Sequence, residues 1–515
     1  MLTQTLKITS FFRFRYTAFL AFLVGFIVRG FPEVLAGKWP LGFDTVTYYV
    51  PAIESWRNGN FNPVEFGYYV PLCYWLLYLA YCLSGNSLLT LKTFGPLLYG
   101  FLSFSLFFFT TKGLNWSNKK GLLACIIFSS YFVSLRISWD LYRNMLGLAL
   151  LLLFLSFFKQ HNNLSNKLKL TSFILATLVV LSHEIASAMM SVIIVGTFAF
   201  EIIERKKPVT KVLKSSLWFV PPLLVFLFIF LVAASQLNTI PGSLNYFTSI
   251  DRGITYDSYQ SLVSDIFIVG LLCFGGLLPF IIRGFWSERT LNLWLLVCLI
   301  GFLWPIAYPW FEMAPWNRWM YMLVPPSILY VVNTIDRPYN SRMAKKTPNC
   351  HERKLFSWKV LLPIIVLGVS IFYILFPLIV SPYSVRASFL GPFERASAYI
   401  PGAFLSNTIP VDECDNLESC LKFVNSQLDN NSVLIIHESL RGWVSLYIDE
   451  GKNVINYHFH NHSEGLQNAL AQGYEKIYLI WWADDLGWYN QTWVPTGFKQ
   501  ISTSGHIVVY LYQNE

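Results

Sequence analysis

The stretch Tyr68–Leu83 reads YYVPLCYWLLYLAYCL, and its placement decides the orientation of every later segment of the chain. It is apolar, yet shorter than the ~20 residues that a membrane-spanning helix needs. If it crossed the membrane, nearly all later basic clusters would lie opposite the N-terminus, whereas Lys and Arg normally collect on the cytoplasmic side. Tyr and Trp are typical of the membrane–water interface. We therefore predict a helix that lies at the outer interface.

The composition is that of a protein partly dissolved in lipid. Of 515 residues, 54% are hydrophobic, 17% aromatic and 13% charged, whereas an average soluble domain is roughly 25% charged. So much apolar surface excludes a soluble enzyme, a disordered chain and a disulfide scaffold. The net charge of +9 does not indicate a nucleic-acid partner, because most basic residues fall in loops on one side of the bilayer.

The first apolar stretch, Phe11–Val28, follows Lys7 and precedes no small-residue cleavage pattern, so it predicts a spanning helix rather than a cleaved signal. We predict an α-helical polytopic membrane protein, about 11 transmembrane helices in all, in the cell membrane with a cytoplasmic N-terminus. The other predicted spans are Leu89–Thr111, Gly121–Leu135, Met145–Phe158, Leu170–Leu181, Ile185–Ile203, Ser215–Ala234, Ile266–Ile282, Leu291–Tyr308, Trp319–Ile335 and Val360–Val380.

Residues 381–515 predict a small α/β domain on the exterior, after a membrane domain of residues 1–380. This tail carries 7 basic and 14 acidic residues, unlike the basic membrane part. Its periodicity predicts helices at Leu417–Leu428 and Ser463–Gly473. The predicted strands are Ser432–His437, Leu446–Asp449, Asn453–Tyr457, Lys476–Trp482 and His506–Tyr512. A disulfide between Cys414 and Cys420 and a pair of free thiols are equally compatible with an oxidising exterior.

Ionisable groups near a bilayer are candidates for function, and here they collect in the outer loops. The first loop reads Leu41-Gly42-Phe43-Asp44-Thr45-Val46-Thr47-Tyr48-Tyr49. An acid at this depth can act as a general base or bind a cation. The alternative is that Asp44 only caps a helix beginning at Thr45.

The second outer loop brackets one acid between two arginines, in the order Arg136, Asp140, Arg143. The guanidinium group of arginine can donate two parallel hydrogen bonds to phosphate oxygens, and an aspartate can orient that group. The alternative is a local Asp–Arg pair with the arginines snorkelling to the interface.

Two further outer segments carry charge. His183-Glu184 lies between two apolar runs, so it faces a polar cavity or closes a tight helical hairpin. Glu312 precedes Arg318, which begins a predicted span at the depth of a lipid phosphate. The alternative for this last segment is an aromatic-belt anchor. All four charged segments together describe an outward cavity with acids for chemistry and arginines for an anionic lipid head.

This layout resembles the GT-C superfamily of membrane glycosyltransferases, whose members include lipid A aminoarabinose transferases, protein O-mannosyltransferases and oligosaccharyltransferase catalytic subunits. The most specific match is Gly42-Phe43-Asp44 with Tyr48-Tyr49, followed by the aromatic stretch Tyr68–Tyr81. The family has a first span, a long outer loop with an acid, interfacial helices and many later spans. That order covers the whole chain.

The resemblance implies roles for particular residues. Asp44 would be the catalytic base or a metal ligand, and Asp140 the acid of the second outer loop. Arg143, Arg318 and Arg136 would hold the donor phosphate. Cavity positions would be His183, Glu184, Glu312, Tyr48 and Tyr49. No cofactor is required by this pattern, and a divalent cation stays open.

The predicted function is transfer of a sugar from a polyprenyl-phosphate donor to a glycan, lipid or protein acceptor on the exterior face. A lipid or solute transporter (a flippase) and a non-catalytic membrane assembly protein are the alternatives, and a transporter would favour charges near the helix centres. Two tail segments, His437–Trp443 and Trp481–Asp485, have no assigned role beyond folding.

The predicted sidedness can be tested at the cytoplasmic cluster that contains Lys119. In intact cells, a thiol introduced by Lys119→Cys should stay unlabelled by a membrane-impermeant maleimide and should react after permeabilisation, because the positive-inside rule places it in the cytoplasm. A chain without this substitution gives the background. Labelling from outside would overturn the predicted sidedness and scatter the acids and arginines over both faces.

Overall fold

The computed structural model describes residues 2–59, 71–159, 165–204, 208–228, 256–285, 288–309, 316–336, 365, 368, 405, 407–457, 462–483 and 494–513. Helix α1 (Leu2–Leu35) packs along α4 (Ser87–Phe108) at the centre of a helical bundle. The two backbones approach closely at Gly25, where a Cβ atom would lie 2.6 Å from the carbonyl oxygen of Tyr99. Ser103 Oγ donates to the carbonyl of Ala21 at 2.6 Å. Small and hydroxylated residues are the usual means of such approach between apolar helices.

The bundle contains further helices, several of them short or bent. Their bounds are α2 (Val50–Arg57), α3 (Leu72–Ser84), α5 (Asn118–Ser130), α6 (Phe132–Asp140), α7 (Tyr142–Phe158), α8 (Asn166–Ser182), α9 (Glu184–Ile203), α10 (Val209–Ser216), α11 (Val220–Phe228), α12 (Tyr256–Phe274), α13 (Leu278–Gly284), α14 (Arg289–Ala307), α15 (Trp316–Met322) and α16 (Val324–Asp336). Two π-helical segments, Thr45–Tyr49 and Phe109–Gly113, adjoin α2 and α4.

Within the described ranges, four helices are long and apolar enough to cross a membrane: Phe14–Leu35, Ser87–Gly113, Glu184–Ile203 and Arg289–Ala307. Two bent pairs, α5 with α6 and α12 with α13, raise that number to six when each pair is counted as one span. The chain is therefore an integral membrane protein. The number of about 11 spans stays a prediction, and its last member, Val360–Val380, lies almost wholly outside the described residues.

Most of the aromatic stretch Tyr68–Leu83 lies in α3. The 13 residues of this helix extend about 20 Å at 1.5 Å per residue, less than the ~30 Å of a hydrocarbon core. Cys73 and Leu77 are buried against the bundle, whereas Trp75, Leu79 and Leu83 are exposed. A short helix with one packed and one apolar outer face suits the predicted interfacial position, whose sidedness stays a prediction.

The predicted span Gly121–Leu135 is not one straight helix. Helix α5 ends at Ser130, and α6 starts at Phe132 with a bend of 68° between them. As a result, Arg136 and Asp140 lie in the last turns of a helix and not in a loop, which corrects the sequence interpretation. Local spacing gave no sign of the break, because the stretch lacks Pro and Gly at that point.

The C-terminal unit, predicted from the sequence to be the exterior unit, is built on a five-stranded sheet in the order β2-β1-β3-β5-β4. Strands β1 (Ser432–His437), β2 (Val454–Tyr457) and β3 (Lys476–Trp482) are parallel, and β4 (Lys499–Ser504) and β5 (Ile507–Gln513) are antiparallel. The helices are α17 (Cys414–Gln427), α18 (Arg441–Tyr447) and α19 (His462–Ala471). The α/β prediction for the tail is thus confirmed in outline, while the boundary at residues 380 and 381 lies outside the described residues.

Two details of the tail were predicted wrongly. Leu446–Asp449 is not a strand, because α18 runs through Tyr447; a four-residue apolar run does not distinguish a helix end from a strand. Strand β4 was missed, since its residues are mostly polar and exposed and its pairing with β5 is a tertiary contact.

The alternative of a Cys414–Cys420 disulfide is also excluded. Both cysteines are buried free thiols on α17, and burial raises their pKa values. Six residues of helix separate the two Cα atoms by about 9 Å along the axis, beyond the ~7 Å limit for a disulfide.

Candidate active site

The predicted first outer loop lies directly on the end of α6, and Gly42 makes this contact possible. Its φ of 105° is in the region that favours glycine. A Cβ atom there would lie 2.4 Å from the carbonyl oxygen of Trp139 and 2.7 Å from Cβ of Asp140. Two residues later, the backbone N–H of Asp44 donates to the Asp140 carboxylate at 3.4 Å. The two acids predicted to be catalytic therefore lie side by side, although 96 residues separate them.

Asp44 directly precedes the π-helical segment Thr45–Tyr49. It occupies the cap position, but its side chain accepts no capping hydrogen bond, so the capping alternative does not describe this residue. The carboxylate is 25% exposed, and Arg318 Nη2 approaches it to 3.8 Å. Single π-helical turns are frequent at functional sites, because the extra residue re-aims the neighbouring side chains.

Asp140 is held differently. Its side chain is only 2% exposed and receives Arg136 Nη1 at 2.6 Å, one turn earlier on α6. The local Asp–Arg pair that the spacing allowed is therefore present. Of the two acids, Asp44 is the one open to solvent, and Asp140 is a buried neighbour with its own counter-ion.

The surroundings of Asp44 change its acidity. Burial raises the pKa of Asp44 to about 7, and the negative charge of Asp140 acts in the same direction. Three arginines, Arg318, Arg136 and Arg143, oppose this rise in pKa. A carboxyl group that titrates near neutrality can accept a proton as a general base at the pH of a cell surface.

Arg143 and Glu184 form a second ion pair, in which Arg143 Nη2 lies 2.6 Å from Glu184 Oε2, and Arg143 is close enough to Asp44 to lower its pKa. Both side chains are partly exposed, 20% and 27% respectively. The adjacent His183 is buried in the turn before α9, where Nδ1 accepts the N–H of Ala186 at 3.4 Å. Burial lowers the pKa of His183 to about 4, so it is neutral at physiological pH. The alternative from the sequence is that this segment closes a tight helical hairpin, and the buried position of His183 between α8 and α9 fits it.

The two predicted tyrosines differ. Tyr48 is 39% exposed, whereas Tyr49 is buried and stacks on Tyr142 with ring centroids 4.9 Å apart. Thr45 Oγ1 donates to Tyr142 Oη at 3.2 Å. Tyr49 thus anchors the π-helical segment to α7. Glu312 lies outside the described residues. Within those residues, no group of three His, Cys, Asp or Glu side chains could hold a metal ion.

The bundle and sheet unit resemble solved structures in their fold. ArnT from Cupriavidus metallidurans in the apo state is 12% identical, with a TM-score of 0.52 over 98% of each chain. ArnT bound to undecaprenyl phosphate is also 12% identical, with a TM-score of 0.50 over 98% of each chain. The mycobacterial arabinofuranosyltransferase AftD is 11% identical, with a TM-score of 0.51 over 97% of this chain and 40% of AftD.

The chain therefore shares its fold with ArnT and with part of AftD. Its sequence matches no protein-family model, and no curated protein sequence matches it significantly.

One buried charge network was not predicted from the sequence. Arg29, with no exposed surface, pairs with Glu33 at 2.7 Å on α1. Its guanidinium also donates to the carbonyls of Ser138 and Trp139, at 2.7 and 3.2 Å, and so caps the end of α6. Two signals were available: an arginine at the end of a spanning stretch, and an acid four residues later.

Lys92 on α4 completes this network. Its ammonium donates to the carbonyl of Glu33 at 2.6 Å and to that of Trp39 at 2.9 Å, and it lies 3.3 Å from the Glu33 carboxylate. The network therefore joins α1, α4, the first loop and α6. It fixes the two backbone segments that carry Asp44 and Asp140.

The tail segments singled out by sequence are largely structural. Trp481 and Trp482 are buried at the end of β3, and Asp484 and Asp485 lie outside the described residues. His437 ends β1, where Nδ1 accepts the N–H of Ser439. Trp443 is buried in α18. This agrees with the folding role left open for both stretches.

Removing Arg29 should strongly destabilise the protein. Arg29→Met leaves the Glu33 carboxylate buried with less compensation and uncaps α6, so we expect a loss of about 3–5 kcal/mol in the free energy of unfolding. The measurement is denaturant unfolding in detergent. The matched control is Arg289→Met, which removes a half-exposed pair with Glu204 and should cost about 0–1 kcal/mol. Equal losses for both variants would contradict the structural role of the network.

Proposed function

We propose that this chain is a membrane glycosyltransferase that uses a polyprenyl-phosphate sugar donor and acts on the exterior face. The observation that carries the proposal is that the partly exposed carboxylate of Asp44 lies close to two arginines. Asp44 lies 3.8 Å from Arg318, and Arg143 is close enough to lower the pKa of Asp44. The likeness in fold to ArnT, which has been solved with undecaprenyl phosphate, supports the class of donor.

The proposed reaction needs one base and one anion-binding group. Asp44 accepts the proton of an acceptor hydroxyl group while the hydroxyl oxygen attacks the anomeric carbon of the donor sugar. The bond from that carbon to the phosphate oxygen breaks, and the lipid phosphate leaves with the electron pair. Fixed guanidinium groups stabilise the negative charge that grows on this phosphate in the transition state. No nucleotide-binding fold is required, because the sugar arrives on a lipid.

Arg143 and Arg318 are the better-placed phosphate ligands of the three predicted arginines. Their side chains are 20% and 25% exposed, and each meets a partly exposed acid that an incoming phosphate can replace. Arg136 is 11% exposed and is committed to the buried Asp140. Arg136 therefore serves mainly to balance Asp140, while the other two remain available to the donor.

The remaining predicted positions take lesser parts in the proposal. Tyr48 is exposed beside the acid and can contact a sugar ring. Glu184 holds Arg143 when no donor is bound. The acceptor is a glycan, a lipid or a protein. The need for a divalent cation stays an open alternative, since Asp44 and Asp140 would supply two carboxylate ligands. In this proposal the helical bundle spans the cell membrane, the N-terminus lies in the cytoplasm and the sheet unit lies on the exterior.

The direct test is the loss of the carboxylate charge at position 44. Asp44→Asn should lower kcat for sugar transfer by about 10²–10⁴-fold, since the amide cannot take up the proton. The assay uses purified protein in vesicles with a polyprenyl-phosphate sugar and scores label transferred to acceptor. Asp449→Asn, an exposed position in the sheet unit, is the matched control and should keep full activity.

Each result of that assay has a clear meaning. Retained transfer by Asp44→Asn would remove Asp44 from the mechanism. Absence of transfer in the unmodified chain, with transport of the lipid across the vesicle, would favour the flippase alternative. Neither transfer nor transport, with a stable folded protein, would favour an assembly role.

The pH dependence should report the titration of Asp44. Because the base must be deprotonated, kcat/KM should rise as pH increases through about 7, the pKa of Asp44. Asp140→Asn removes a neighbouring negative charge that raises this pKa, so the rise should move to lower pH. The measurement is kcat/KM between pH 5 and 9 for both proteins. An unchanged midpoint in Asp140→Asn would show that another group limits the rate.

A further inference from the structure

The exterior unit rests on the first outer loop and buries part of it. Trp39 of that loop lies in the core of the exterior unit, with its ring 5.1 Å from the ring of Trp443 on α18. Asn407 donates its side-chain amide to the carbonyl of Pro40 at 3.1 Å, in a buried position. Lys38 adds exposed ion pairs at the rim, which contribute little by comparison. The contact is therefore mainly a buried apolar one.

Its tightest point is Gly442, the second residue of α18. A Cβ atom on Gly442 would lie 1.7 Å from the backbone carbonyl oxygen of Val46. Gly442 has no positive φ, so glycine is needed here for space and not for conformation. Val46 is buried in the core of the exterior unit, although it belongs to the π-helical segment that follows Asp44.

Helix α18 cannot easily move away to relieve a clash at this point. Trp443, the next residue, is 1% exposed, and its indole N–H donates to Thr408 Oγ1 at 2.8 Å. Leu446, one turn later, packs against the cores of both the bundle and the exterior unit. A side chain added at Gly442 would therefore push on Val46.

The opposite side of the π-helical segment is fixed by the bundle. Thr45 and Tyr49 both contact Tyr142 of α7. The segment is thus held between α7 and α18, two residues from Asp44. The Asp44 carboxylate faces Arg318, and the Asp44 backbone N–H donates to Asp140, so a shift of the backbone at Asp44 changes both contacts. A displacement of about 1 Å is enough to cost a reaction much of its rate.

We propose that α18 positions the Asp44 loop for the reaction, with Gly442 as the positioning residue at the point of contact. The exterior unit is then part of the catalytic arrangement without touching the reacting atoms. This inference rests on the proposed function for its effect on rate. Its structural part, the dependence of the Asp44 position on Gly442, stands without it.

The variants are Gly442→Val and the milder Gly442→Ala, which tests the same contact where valine prevents folding. Ser445→Ala, on the same helix, adds no atom and is the first control. Gly465→Ala is the second control, since its Cβ would meet the Tyr457 ring at 2.8 Å inside the exterior unit. It disturbs the same domain without contact to the first loop.

The first readout needs no enzymatic activity. In a chain carrying Cys82→Ser, to remove an exposed thiol, Asp44→Cys places a thiol at the site. Its rate of reaction with a water-soluble maleimide is measured, and the chain without Asp44→Cys gives the background. Gly442→Val and Gly442→Ala should change this rate by about threefold or more, while Ser445→Ala and Gly465→Ala leave it within about twofold. Unchanged rates in both Gly442 variants, or an equal change in Gly465→Ala, would overturn the proposal.

The second readout, in the chain with Asp44 intact, separates positioning from binding. The Gly442 variants should lower kcat by about tenfold or more with little change in KM for the donor, because the arginines that meet the phosphate lie on other elements. A rise in KM alone would contradict the positioning role. If the thiol rates change as expected but no chain transfers sugar, the proposed function fails and the structural dependence stands. If transfer persists in Gly442→Val with unchanged kcat, positioning fails and the function stands.

Discussion

The fully buried pairing of Arg29 with Glu33 is the interaction on which the rest of the site depends. A charge in this position is expensive unless it is paired and its remaining donors are used. Here those donors cap the end of α6, and Lys92 ties the same acid to the first loop. The ion pairs and hydrogen bonds offset the cost of burying these charges. They also fix three separate backbone segments relative to one another.

The candidate site follows from that fixed frame. With the end of α6 and the first loop held together, Gly42 allows Asp44 and Asp140 to meet. Asp140 is buried against Arg136, whereas Asp44 is partly exposed and faces Arg318. Two carboxylates in unlike surroundings can take unlike roles, because Asp44 is partly exposed while Asp140 is buried against its own counter-ion.

The chain shares its fold with ArnT and AftD at only 11–12% identity. Such a fold requires apolar helices of suitable length and a soluble unit on one side, which many sequences satisfy. A site is more demanding, since it needs particular groups at particular distances. For this reason the fold by itself assigns no reaction, and the function depends on Asp44 and the arginines near it.

Local sequence determined the membrane class, most helix positions and the strands Ser432–His437 and Lys476–Trp482, because each depends on the polarity and spacing of neighbouring residues. It also predicted Asp44 as a candidate catalytic acid. Only the tertiary structure decided the break after Ser130 and the approach of Gly442 to Val46. These depend on contacts between segments far apart in the chain, and no local pattern encodes which segments meet.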